Sequence, residues 1–199
     1  MVRISAIYGS PRRDGNSAGL LRQAVAGARE NGAEVEEIIL RDYKISPCLE
    51  IYNCIQTGKC AIKDDFPKIE KKLEASSGIM LASPIFFYSV SAHTKIFMDR
   101  CQSLWVRKYW INKKSLGQEP HSRKGLFISV GATEGKKLFD GAILTTKYFF
   151  DVLDAELWRT VLCRGVDRKG EIEHRQDYLQ QAYEAGKDLA QTLSQKECR

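Results

Sequence analysis

Short apolar runs alternate with stretches of helical periodicity along the whole chain, and that alternation leaves few folds open. "VRISAIY" (2–8), "AEVEEIIL" (33–40), "GIMLAS" (78–83), "GLFISVG" (125–131) and "AELWRTVL" (155–162) read as strands. Residues 17–32, 62–77, 90–101, 136–151 and 173–195 read as helices. In the first of these, Leu20, Leu21, Ala24, Val25 and Ala28 share one face, and Gly32 ends it. Strand–helix alternation builds parallel βαβ units with helices on both faces of the sheet. The prediction is one doubly wound, three-layer α/β domain over residues 1–199, with five parallel strands in the order 2-1-3-4-5. Strands 1, 3 and 4 are then neighbours. The loops at 9–17, 83–91 and 131–136 should therefore converge on one crevice at the carboxyl ends of the strands.

Composition narrows the setting. No run approaches the length of about 18 apolar residues that a membrane helix needs, and the N-terminus lacks the layout of a signal peptide. A cytoplasmic protein is expected. Six cysteines in 199 residues are too few for a disulfide scaffold, so free thiols, core residues or metal ligands are the options. The net charge of +6 favours anionic partners. Much of that charge sits in one stretch, where Arg107, Lys108, Lys113, Lys114, Arg123 and Lys124 face only Glu119.

"IYGSPRRDGNS" (7–17) is a strand-to-helix turn, which aims the free N–H groups of the helix's first turn at whatever lies above the strand. Gly9 permits a tight turn, Ser10 and Ser17 offer hydroxyls, Asn16 or Ser17 can cap the helix, and Arg12 or Arg13 can pair with an anion. The loop has neither the Gly-Lys-Ser/Thr ending of a triphosphate loop nor a G-x-G-x-x-G pattern, so a terminal monophosphate is the anion it suits. An ordinary solvated loop is the competing reading. In "SPIFFYSVSAHTKIFMDR" (83–100), Ser-Pro holds the chain in a turn after strand 3, and Phe86, Phe87 and Tyr88 can flank a planar ring. Phe86 or Phe87 is expected to belong to the core instead. "GATEGK" (131–136) is a glycine-bounded loop free to approach a ligand.

These motifs, with the cysteine stretch between them, resemble the flavodoxin-like NAD(P)H-dependent FMN reductase family, and particularly its iron-sulfur flavoprotein branch. The resemblance spans roughly residues 1–135 and uses three separated motifs in order. It implies that Ser10, Arg12, Asn16 and Ser17 hold the FMN phosphate, and that Ser83, Pro84, Ile85, Phe86 and Phe87 lie along the isoalloxazine. Gly131, Ala132, Thr133 and Gly135 would close the same site. Phe86 stands where the family commonly has tyrosine, and Tyr88 where it has a small residue. Lys95, Asp99 and Arg100 resemble the family's Lys-x-x-x-Asp-Arg helix and read as structural ion-pairing residues.

"SPCLEIYNCIQTGKCAIKDD" (46–65) carries Cys48, Cys54 and Cys60, too close together for incidental core residues. A cubane iron-sulfur cluster usually takes four thiolates. The branch resembled here would have its further cysteine at the position of Ile51, which cannot ligate iron. Three readings stay open: a cluster with a non-cysteine or open fourth position, a former cluster loop now used for packing or oligomerisation, and thiol redox chemistry or an adventitious metal. Cys101 and Arg107 have the spacing of a phosphatase loop, but "CQSLWVR" lacks glycine and continues a helix, so that reading is rejected. Cys163 and Cys198 receive no role.

The stretch 103–124 is a basic insertion containing Trp105, Tyr109 and Trp110. An oligomer contact with a basic rim, a lid drawing in the phosphates of NAD(P)H and a nucleic-acid surface are its three readings, in that order. The function implied by the resemblance is an FMN-dependent oxidoreductase that takes hydride from NAD(P)H and passes electrons to a small molecule or protein. The alternatives are an FMN-binding electron carrier reduced by a protein partner and a non-enzymatic redox sensor or basic binding module. A homodimer or homotetramer is expected, with an acidic redox protein as a further partner and neither membrane nor nucleic acid among them.

Overall fold

The computed structural model describes residues 1–114 and 121–197. Five parallel strands, β1 (Arg3–Tyr8), β2 (Glu34–Ile39), β3 (Gly78–Pro84), β4 (Arg123–Val130) and β5 (Ala155–Cys163), form one sheet in the order 2-1-3-4-5. The register sets Ile7 beside Ile38 and Leu81, and Leu81 beside Phe127. The helices are α1 (Asn16–Glu30), α2 (Asn53–Thr57), α3 (Phe66–Glu74), α4 (Ala92–Arg100), α5 (Gln102–Val106), α6 (Asp140–Val152) and α7 (Gln176–Glu197). None is long and apolar enough to cross a membrane among the described residues.

The central strands are apolar almost throughout because both of their faces are covered. Ile4, Ala6, Met80, Ala82, Leu126 and Ile128 face α1 and α7. Their neighbours Ile7, Ile79, Leu81 and Phe127 point the other way, into the layer of α3, α4 and α6. α1 and α7 touch backbone to backbone. A methyl group at Gly186 would lie 1.9 Å from the Ala24 carbonyl oxygen, and one at Gly27 2.1 Å from that of Tyr183. Gly186→Ala should therefore destabilise the protein by about 2 kcal/mol, although helix propensity alone favours alanine by about 1 kcal/mol. Urea unfolding measures the difference, and a stabilised variant would contradict this contact.

Two helices begin later than their periodicity suggests. The helix expected over 62–77 starts at Phe66, because the residues before it brace another segment. Asp64 accepts hydrogen bonds from the Phe66 N–H at 3.0 Å and the Ser46 N–H at 2.9 Å, and Asp65 accepts from the Lys44 N–H at 2.9 Å. The helix expected from 136 starts at Asp140, after the Leu138 and Asp140 N–H groups close successive turns onto Gly135 and Lys137.

The insertion is partly helical, with α5 followed by a π-helical turn over Arg107–Ile111. Its far end opens β4 at Arg123, which donates to the carbonyls of Leu73 and Leu153 at the amino ends of the strands. The described part of 103–124 thus leads away from the carboxyl ends, and the lid reading is corrected for those residues. Residues 115–120 lie outside the described ones. The basic groups are largely matched locally: Arg107 pairs with Glu74 at 2.7 Å, Lys108 lies 3.6 Å from Asp151, and Lys124 lies 3.2 Å from Glu156.

Candidate functional site

β1 ends under a constraint that shapes everything above it. The Gly9 N–H bonds to the Ala82 carbonyl at 2.8 Å, and the Gly9 carbonyl accepts from the Ser91 and Thr94 hydroxyls. A methyl group at Gly9 would meet Thr94 Oγ1 at 1.9 Å, so only glycine fits beneath α4. Ser91 caps α4 by accepting from the Thr94 N–H, and its own N–H donates to Ser83 Oγ at 2.9 Å. Ser83, Ser91 and Thr94 are buried, and together they lock the first loop to the second.

Above this lock the three strand-end loops do converge. They enclose a crevice of about 140 Å³ lined by Ser10, Pro11, Arg12, Gly15, Asn16 and Ser17 from the first loop, Pro84, Ile85 and Phe86 from the second, and Val130, Gly131 and Ala132 from the third. A fourth wall, Val166 and Asp167 from the loop after β5, has no counterpart in the sequence reading. It is held by two long-range ties. The Val166 N–H reaches the Gly131 carbonyl at 3.2 Å, and Asn16 Nδ2 donates to the Arg168 carbonyl at 2.8 Å.

That second tie corrects the expected cap. The N-cap of α1 is Gly15, with no side-chain hydrogen bond, while Asn16 is turned toward the 168–172 segment. The first-turn N–H groups of α1 are therefore left to the crevice, as an anion site requires. The two arginines also divide. Arg13 pairs with Asp42 at 2.5 Å, whereas Arg12 lines the crevice with no ion pair among the described residues. Ser10 is buried, and its Oγ accepts from the Arg12 N–H at 3.1 Å.

The aromatic loop differs from expectation. Phe86 and Ser89 exchange two backbone hydrogen bonds, of 2.9 and 3.0 Å, around Phe87 and Tyr88 at φ +49° and +59°. This is the geometry of a two-residue turn that normally uses Asn-Gly, and each side chain forced into it costs on the order of 1–3 kcal/mol. Neither Phe86 nor Phe87 is a core residue: they are 48% and 100% exposed. Of the residues expected at the site, Ser83, Phe87, Thr133 and Gly135 are not part of the lining. Ser83 acts beneath the loop, donating to the Pro84 carbonyl at 3.0 Å.

Cys48, Cys54 and Cys60 are all half-buried and border one cavity of about 510 Å³, with Ile51, Asp99 and Gln102 on its wall. The loop contains the short helix α2 and two left-handed residues, Glu50 and Tyr52. Beneath it lies Arg100, with its side chain wholly inaccessible. The guanidinium pairs with Asp64 and donates to the Ser46 carbonyl at 2.9 Å and to Cys60 Sγ at 3.3 Å. Burial pushes the Asp64 carboxyl up, but the hydrogen bonds from Arg100, Ser46 and Phe66 outweigh it and hold the group below the usual carboxylate range. As expected, Lys95 and Asp99 pair on α4, at 2.6 Å. Among the described residues no three His, Cys, Asp or Glu side chains stand close enough to hold one metal ion.

A family model described as NADPH-dependent FMN reductase matches residues 2–137. An iron-sulfur flavoprotein of Methanocaldococcus jannaschii is 36% identical over 132 residues, which cover 66% of this chain and 63% of that one. An iron-sulfur flavoprotein of Archaeoglobus fulgidus is 37% identical over 144 residues, covering 71% and 69%. The chain thus matches less than two thirds of the length of the first of these relatives. Among solved structures, the FMN-dependent NADH-azoreductase of Bacillus anthracis in complex with FMN superimposes with a TM-score of 0.68 at 17% identity, over 94% of this chain and 99% of that one. With the match over residues 2–137 and the sheet order 2-1-3-4-5, the chain belongs to the NADPH-dependent FMN reductase family.

Proposed function

We propose that the protein is an FMN-dependent oxidoreductase that takes hydride from NAD(P)H and delivers electrons to a small-molecule or protein acceptor. One observation carries this reading: a helix N-terminus with no side-chain cap, a buried hydroxyl and an arginine without an ion pair among the described residues meet two short strand-end segments in a single crevice. The N–H groups of α1's first turn, Ser10 Oγ and Arg12 would hold a phosphate dianion. Pro84, Ile85 and Phe86 on one side and Gly131 and Ala132 on the other would flank a planar ring and keep water from its faces. Bound there, FMN supplies hydride acceptance and electron release, while the protein supplies binding and orientation.

The chain loaded with FMN should lose its oxidised flavin absorbance within seconds of anaerobic mixing with NADPH or NADH. Persistence of that band with both nucleotides, together with bleaching by dithionite, would favour a carrier reduced by a protein partner. Failure to take up FMN would remove the flavoprotein reading altogether.

A further inference from the structure

The fourth wall of the crevice brings a chemistry that the other three lack. Asp167, from the loop after β5, is the only carboxylate among the described residues of the lining. It stands in a crevice whose first wall is suited to an anion, where a second negative charge is repelled unless something compensates it.

The loop is tied down on both sides of this residue. On one side the Val166 N–H reaches the Gly131 carbonyl at 3.2 Å, at the third strand-end loop. On the other, the Arg168 carbonyl accepts from Asn16 Nδ2 at 2.8 Å, at the first residue of α1. Asp167 is therefore held between the segment that would flank a planar ring and the turn that would hold a phosphate. Glu171 fixes the same turn from within, its carboxylate accepting from the Asp167 N–H at 2.8 Å and the Arg168 N–H at 2.9 Å. Those bonds use the backbone of Asp167 and leave its side chain over. Among the described residues the Asp167 carboxylate has neither a hydrogen bond nor an ion pair, so packing and local pairing do not account for it.

An ionised carboxylate only accepts hydrogen bonds, and the donors here are left for a ligand to supply. In FMN the phosphate dianion has none to offer. The ribityl chain carries a row of hydroxyls and runs between phosphate and ring, the same two ends between which Asp167 is held. We infer that Asp167 is a specificity-determining residue that accepts hydrogen bonds from the ribityl hydroxyls, so that the site selects flavins with a hydroxylated chain over the bare ring. A site built to bond a ligand hydroxyl rejects an analogue without it, because its own polar group is then left unpaired. This inference rests on the flavin reading of the crevice.

Three ligands test it on the full chain: FMN, riboflavin, which lacks the phosphate, and lumiflavin, which has a methyl group in place of the chain. Fluorescence titration gives the affinities. Asp167→Ala should weaken riboflavin about tenfold, FMN by the same factor within about threefold, and lumiflavin not at all, as loss of a hydrogen bond to a charged acceptor requires. Asp167→Asn, which keeps one acceptor oxygen, should fall between the unmodified chain and the alanine variant. Urea unfolding should be unchanged, since the residue is exposed and its side chain unpartnered among the described residues. The midpoint potential of bound FMN should also stay in place, because a charge beside the chain is insulated from the ring. Unchanged riboflavin affinity in Asp167→Ala would overturn the inference. So would an equal loss for lumiflavin or a raised potential, either of which would put the carboxylate beside the ring, and so would tighter FMN binding with riboflavin unaffected, which would put it against the phosphate. Uptake of none of the three flavins by the unmodified chain would overturn the flavin reading itself, and this inference with it.

Discussion

Replacing Ser10 and Arg12 together by alanine should weaken FMN binding by about two to three orders of magnitude and leave riboflavin binding within a few fold. Riboflavin lacks the phosphate, so the comparison isolates the anion-holding part of the crevice. Arg12 is exposed and without an ion pair among the described residues, and Ser10 accepts one local hydrogen bond, so neither substitution opens the core. The magnitude follows from losing two charge-assisted hydrogen bonds, each worth a factor of about 10 to 100. Quenching of flavin fluorescence gives both affinities. Equal losses for the two flavins would show that these residues shape the crevice without facing the phosphate.

Arg100→Leu should cost about 3 kcal/mol of folding stability, because it leaves the half-buried Asp64 carboxylate without its counter-ion. The side chain ties α4 to Ser46, Asp64 and Cys60 and lies 4.9 Å from the Phe66 ring centroid, so its loss frees the cysteine loop from the helix layer. Asp64 titrates below its usual range in the folded state. Its contribution is therefore complete above the ordinary carboxylate pKa of about 4 and is lost as pH falls through the depressed folded value. Asp64→Asn should flatten that acid limb. Arg100→Leu combined with Asp64→Leu should recover much of the lost stability, since replacing both partners leaves no unpaired charge. Denaturant unfolding between pH 3 and 7 tests each expectation, and an Arg100→Leu cost below about 1 kcal/mol would mean that the pair is solvated.

The element order was legible because each strand and helix declares itself over a few neighbouring residues. Apolar runs such as "GIMLAS" and the stripe Leu20-Leu21-Ala24-Val25-Ala28 need no distant partner to be read. Right-handed parallel crossovers then leave few sheet orders, and the meeting of the first three loops follows from the one observed. The turn at Phe87 and Tyr88 was not legible, since its usual signal is Asn-Gly and two aromatics carry none. The fourth wall was hidden for a different reason. Val166 and Asp167 reach the crevice through bonds to Gly131 and to Asn16, and Asn16 lies 152 residues from its partner Arg168.

By itself, then, the sequence determined the sheet, the strand-to-helix turn after β1 and the clustering of three thiols, all consequences of short-range pattern. Tertiary structure alone decided which arginine stays without an ion pair among the described residues, where the described part of the insertion lies and what sits beneath the cysteines. Arg13 was claimed by Asp42, the described part of the 103–124 stretch was drawn to the amino ends of the strands, and Arg100 was sealed under the loop by Asp64. The physical reason is common to all three. A long charged side chain has many partners within reach, and only the folded surroundings fix which of them it meets and how far water is excluded when it does.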